Sequence, residues 1–139
     1  MSCLFCRIIR GEVPCYKVFE NEHALAFLDV GPLSVGHTLV IPKSHAATMD
    51  EVPDECLADM MVAIKKVAKA IRAEFGEGMN YNVLQNNGRM AHQFVPHVHY
   101  HVIPKPNAEQ GLGVHWPIRE TPKPAALTTL AASLASHCQ

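Results

Sequence analysis

Pro96-His97-Val98-His99-Tyr100-His101-Val102-Ile103-Pro104 is the stretch that decides the fold. Three histidines alternate with apolar residues. That is the two-residue period of a β-strand, so the imidazoles share one face. Val98, Tyr100 and Val102 take the other face and point into a core. Prolines at both ends bound the strand. On a straight strand neighbouring histidines have Cα atoms roughly 6.6 Å apart, and the outer two roughly 13 Å. Zinc holds nitrogen ligands at about 2.0–2.1 Å. A neighbouring pair can chelate and all three cannot, so at least one histidine is left for other work. Histidine at strict alternation is poor core filler.

The chain around this strand is ordinary for one globular domain. It has 139 residues, 48% of them hydrophobic and 18% charged, enough to bury a real core. A net charge of −1 argues against a nucleic-acid polymer or an anionic membrane as partner. No apolar run approaches a membrane span, and residues 1–7 lack the basic-then-apolar order of a signal peptide. Five cysteines are an odd number without secretory context, so thiols or a metal are expected rather than a disulfide framework. A cytoplasmic or nuclear protein is the expectation.

Upstream of the strand, residues 2–10 read as a short helix, capped by Ser2 and ended by Gly11 in the left-handed conformation. Cys3 and Cys6 share one face of it. Their spacing fits metal ligands, a redox pair or bystander thiols. Residues 16–20, 24–29 and 37–41 read as strands, the third mostly apolar and therefore central. Residues 53–75 carry apolar side chains at helical spacing through Leu57, Met61, Ile64, Ile71 and Phe75. Pro53 fits the first helical position, and Gly76 and Gly78 end the run. Met60 and Met61 read as core, and Lys65, Lys66 and Lys69 as a solvated face. Residues 80–85 form a fourth strand, and residues 86–93 a loop leading into the histidine strand. A last short helix is expected over residues 125–136, with Leu127, Leu130 and Leu134 on one side.

These residues resemble a known family. His-x-His-x-His followed by two apolar residues is similar to the signature of the histidine triad (HIT) superfamily of nucleotide hydrolases and transferases. Ile8-Ile9-Arg10-Gly11-Glu12-Val13-Pro14, Ala26-Phe27-Leu28-Asp29, Ile41-Pro42-Lys43-Ser44-His45, Asn86-Asn87-Gly88 and His115-Trp116-Pro117 extend the likeness toward the Hint branch. Members of that branch hydrolyse nucleoside phosphoramidates. The resemblance implies an α+β fold: a five-stranded antiparallel sheet, one long helix and a short N-terminal helix. It implies sheets joined across a two-fold dimer. It also divides the chain into a domain of residues 1–117 and an extension of residues 118–139.

The same likeness assigns roles. His99 becomes the nucleophile at the α-phosphorus of a purine nucleotide, with AMP as product, and His101 a phosphate contact. His97 supports the site from below and His37 orients its neighbours. Asn86 contacts phosphate, Asp29 holds the ribose hydroxyls, and Leu4, Phe5, Ile8 and Phe27 wall the purine pocket. Trp116 reaches the partner's site in a homodimer. Neutral imidazole is a nucleophile near pH 7, and a nucleotidyl-histidine splits one displacement into two. No metal is needed on the phosphate. One departure stands out: the hydroxyl residue that protonates the leaving group in the Hint branch falls at Phe94. Gln93 is the expected substitute, and His92 is read as structural or dimer-facing. Some relatives bind structural zinc through residues matching Cys3, Cys6, His45 and His97. Two other activities compete: hydrolysis of dinucleoside polyphosphates, and nucleotide binding with vestigial catalysis.

Overall fold

The computed structural model describes residues 3–139; the cap expected at Ser2 lies outside them. The chain runs α1 (Leu4–Ile9), β1 (Lys17–Glu20), β2 (Ala24–Leu28), β3 (Thr38–Pro42), α2 (Asp54–Phe75), β4 (Asn80–Gln85), β5 (Tyr100–Lys105) and α3 (Pro124–His137). Its five strands form one antiparallel sheet in the order β1-β2-β3-β5-β4. The α+β architecture expected from the sequence is therefore present. β3 sits at the centre with all five residues buried, which is why its sequence is nearly all apolar.

Two cores form, one on each face of the sheet. On one face α2 packs Cys56, Met60, Ala63, Ile64, Val67 and Ile71 against Val40, Val98, Tyr100 and Val102. The expected inward set of the histidine strand is thus in place. On the other face α1 lays Phe5 over Leu25, Phe27, Leu39 and Ile41. Each fully buried aliphatic or aromatic side chain contributes about 1.5–3 kcal/mol. The face under α1 also carries the histidines of residues 97–101.

Several boundaries differ from the sequence reading. Pro53 is the N-cap of α2 rather than its first residue. Met60 is fully buried but Met61 is 42% exposed, because adjacent helical residues point about 100° apart. β1 begins one residue late, at Lys17, and β2 ends at Leu28, one residue before Asp29. The ladder of β5 begins only at Tyr100. His97 to His99 approach the sheet differently: the Val98 N–H donates to the Ala46 carbonyl at 2.9 Å. Gly11 does adopt the left-handed conformation, at φ 75°. Gly36, at φ 93°, enters β3 with the Phe75 ring where a Cβ would stand. Every residue of α3 is exposed, Leu127, Leu130 and Leu134 included. No described helix is long and apolar enough to cross a membrane.

Candidate active site

The register of β5 sets the site. His101 pairs with Leu39 of β3 on one side and Leu84 of β4 on the other. Its ring lies 5.0 Å from that of His99, centroid to centroid, and 5.1 Å from that of His37. Phe5 caps the group edge-on, 5.2 Å from His99 and 5.7 Å from His97. His37, His97 and His99 are buried.

Hydrogen bonds fix the tautomer of each ring. A carbonyl only accepts, so His99 Nδ1, 2.8 Å from the His97 carbonyl, carries the proton. His99 Nε2 is left with a free lone pair. The Leu33 backbone N–H donates to His37 Nδ1 at 3.1 Å. His37 therefore holds its proton on Nε2 and donates it to His101 Nδ1 at 2.9 Å. That leaves His101 with an Nε2–H donor. The Asp29 carboxylate stands 3.5 Å from His37 Nε2 and accepts the Gly31 N–H at 2.8 Å. Burial, with the neighbouring His99 and His37 rings, pushes His101 down to about 4. Burial also lowers His37, against the opposing pull of Asp29. Neutral imidazoles at neutral pH follow for both.

Two clefts meet at His99 and His101. The larger, about 390 Å³, is mostly apolar and lined by Leu4, Phe5, Ile8, Phe27, Leu39 and Val95, with Asp29 at its side. The second, about 270 Å³, adds Asn86, His37, His92, Phe94 and Leu112. A flat apolar group fits the first, and a charged group reaching His99 Nε2 falls between the two.

Behind the histidines lies a second cluster. His97 Nε2 donates to the Pro42 carbonyl at 3.0 Å, which turns its Nδ1 lone pair outward. That atom is 3.4 Å from Cys3 Sγ, 3.6 Å from Cys6 Sγ and 3.1 Å from His45 Nδ1. Cys6 Sγ and His45 Nδ1 are 3.4 Å apart. All four ligand atoms lie within 4.8 Å of one another and could hold one metal ion. Burial and the neighbouring Cys3 raise the Cys6 thiol, so it carries a proton unless a cation replaces it.

The HIT domain family matches residues 10–108. The chain belongs to the HIT domain family. It is 62% identical over 117 residues to the adenosine 5'-monophosphoramidase hnt1 of Schizosaccharomyces pombe, a match covering 84% of each chain. Its fold superimposes on the crystal structure of a histidine triad nucleotide-binding protein from Candida albicans with a TM-score of 0.90. There the identity is 44%, covering 99% of this chain and 97% of that one. A zinc-bound histidine triad family protein from Mycobacterium smegmatis aligns with a TM-score of 0.70. It is 35% identical, with coverage of 96% and 98%.

The structure brings Leu4, Phe5 and Ile8, which precede the matched residues, together with Phe27, Asp29, His99 and His101 around one cleft, with Asn86 beside it. One expected residue does not reach it. Gln93 is buried and its amide donates to the Ala47 carbonyl at 2.7 Å and to the Val95 carbonyl at 3.1 Å. Its oxygen accepts the Gly88 N–H at 2.8 Å. It clamps the loop and has no group to spare for a substrate. Trp116, expected at a partner's site, is 78% exposed and lies apart from these two clefts, against Pro117 and Ile118. Conversely, His92 lines the second cleft, which its surroundings in sequence did not indicate. Val13, Pro14 and Tyr16 also wall the larger cleft. The run Val13-Pro14 was legible as part of the family likeness, but without a role.

Proposed function

We propose that the protein is a purine nucleoside phosphoramidase that releases a nucleoside monophosphate through a nucleotidyl-His99 intermediate. The observation that carries this is the bond from His99 Nδ1–H to the His97 carbonyl. It holds the lone pair of Nε2 open where the two clefts meet. The names of the fungal relatives, such as the phosphoramidase of Schizosaccharomyces pombe, support the reaction class.

Each group has work in that reaction. The apolar cleft takes the purine between Phe5, Ile8 and Phe27. Asp29 accepts hydrogen bonds from the ribose hydroxyls. His101, held neutral, donates Nε2–H to a phosphate oxygen, with Asn86 beside it. His99 Nε2 attacks phosphorus, and the charge that its ring gains is met by the His97 carbonyl. Water then cleaves the phosphorus–nitrogen bond to His99 and restores the ring.

The Cys3, Cys6, His45 and His97 cluster fits structural zinc. Bonds of about 2.3 Å to sulfur and 2.0–2.1 Å to nitrogen give a tetrahedron with edges of about 3.3–3.8 Å. Four of the six separations, 3.1–3.6 Å, lie close to that range, and all six are within 4.8 Å. Two thiolates and two imidazoles leave no open position, so the ion would tie α1 to the His97 backbone and take no part in the chemistry.

A homodimer is part of the same reading. β4 is an edge strand, and a groove of about 430 Å³ beside it exposes Met61, Tyr81 and Val83. Edge pairing with a second copy would cover that groove and bring Trp116 toward the other copy's site. Light scattering on the full chain tests it.

Turnover of an adenosine phosphoramidate by wild type and His99→Ala tests the central reading. AMP release by the first and its near-complete loss in the second is expected. A large preference for diadenosine polyphosphates over the phosphoramidate would move the assignment to that class. Tight nucleotide binding without turnover, unchanged in His99→Ala, would make the protein a binding module.

A further inference from the structure

An amine expelled from phosphorus leaves as a strong base unless it is protonated as the bond breaks. The polar side chains lining the second cleft are Asp29, His37, Asn86, His92, His99 and His101. His99 uses Nδ1–H on a carbonyl and Nε2 on phosphorus. His37 has both nitrogens committed and is 3% exposed. His101 takes the His37 proton on Nδ1, and giving up its one remaining proton would leave an anionic ring. Asn86 is an amide and no acid, and the Asp29 carboxylate is engaged by the Gly31 N–H at 2.8 Å and by His37 Nε2 at 3.5 Å. Phe94 has nothing to donate.

We infer that His92 is the general acid that protonates the leaving group, an inference that rests on the phosphoramidase reading. His92 lines the same cleft as His99 and His101 and is exposed to solvent, from which it can reload. Neither of its ring nitrogens has a partner among the described residues. What holds the ring is Phe94, edge-on at 4.4 Å between centroids; the Arg89 guanidinium lies on that same Phe94 ring at 5.6 Å. The Phe94 side chain that removes a hydroxyl thus supplies the wall that aims an imidazole.

The backbone agrees. His92 is the one non-glycine residue with positive φ among the described residues, at 71°. It is pinned there by its N–H on the Arg89 carbonyl at 3.0 Å and by the Asn86 amide on its own carbonyl at 3.3 Å. Side chains rarely adopt this conformation, and such strain collects at functional sites. His101 also feels His92: that ring is one of the nearby groups that lower it.

The step balances. His99 Nε2 gives its lone pair to phosphorus as the bond to the amine breaks. The amine nitrogen keeps that bond's electrons and takes a proton from imidazolium His92, leaving as a neutral amine. His92, now neutral, accepts a proton from the water that attacks the nucleotidyl-histidine, and is ready for the next cycle.

The test compares two substrates in single turnover, following release of the leaving group. One is an adenosine 5'-phosphoramidate of an alkylamine; the other is the 4-nitrophenyl ester of AMP, whose leaving group departs as a stable anion. His92→Asn is the principal variant, because asparagine tolerates the left-handed conformation and cannot act as an acid; His92→Ala is the second. Expected is a loss of about 10²-fold on the amine substrate and a change within about 3-fold on the ester. Equal losses on both substrates, or no loss on either, overturn the assignment. Wild type that turns over neither substrate overturns the phosphoramidase reading itself, and this inference with it.

Discussion

Removing one ligand from the Cys/His cluster is the perturbation with the most definite consequence. If zinc occupies the tetrahedron of Cys3, Cys6, His45 and His97, it binds the folded chain only, because these residues come from α1 and its N-cap, the segment after β3 and the segment before β5. Stability then rises by RT ln(1 + [Zn]/Kd), about 1.4 kcal/mol for each tenfold rise in free zinc above Kd. For a domain of this size that is a shift of about 3–6 °C in Tm per decade. Thermal unfolding of the wild type in metal buffers spanning several decades of free zinc should show that slope. Cys6→Ser should flatten it while leaving a folded protein of lower Tm. The raised Cys6 thiol adds a direction: zinc must displace its proton, so apparent affinity falls as pH is lowered. A wild-type Tm independent of free zinc, equal to that measured in a strong chelator, would refute the zinc assignment.

Other consequences can be measured directly. His37→Ala removes the donor that fixes His101 and should lower kcat/KM by about 10–100-fold; an unchanged pH–rate profile and kcat/KM would exclude that orienting role. His101 is pushed down to about 4, whereas an unfolded histidine titrates near 6.5. The unfolded chain therefore takes up a proton that the folded chain refuses, so this contribution is full above about 6.5 and is lost as pH falls toward 4. Urea midpoints of wild type and His101→Asn should converge over that window as pH falls. Gly36→Ala forces a side chain to φ 93° and sets Cβ 2.7 Å from Phe75 Cε2, at an expected cost of about 2–3 kcal/mol. Adding Phe75→Ala should relieve the contact but not the backbone strain, and full additivity in urea unfolding would show that the two do not meet.

Much of this was legible in the chain. Alternation over residues 97–102 placed the imidazoles opposite Val98, Tyr100 and Val102, because side-chain direction along extended backbone depends only on parity. β4 could be read to the residue. The ladder's start at Tyr100 could not, since the pairing of a strand is chosen by neighbours far away in sequence. The Cys/His cluster was assembled through family likeness; spacing alone left Cys3 and Cys6 with three meanings. Gln93 was misjudged for a tertiary reason: its partners are the Gly88 amide and the carbonyls of Ala47 and Val95, invisible in a linear reading. His92 was missed because a positive φ at a non-glycine residue leaves little trace in composition.

The two imidazoles at the heart of the site differ in how mutation can reach them. The proton on His99 is held by a main-chain carbonyl, a group that all twenty amino acids supply at position 97. No single replacement there deletes it. The proton on His101 depends on the ring of His37, which one base change can remove. On the proposed reaction, drift in a lineage descended from this chain is thus expected to erode phosphate recognition before it erodes nucleophilicity, leaving descendants that form the adduct slowly but still form it on the same atom.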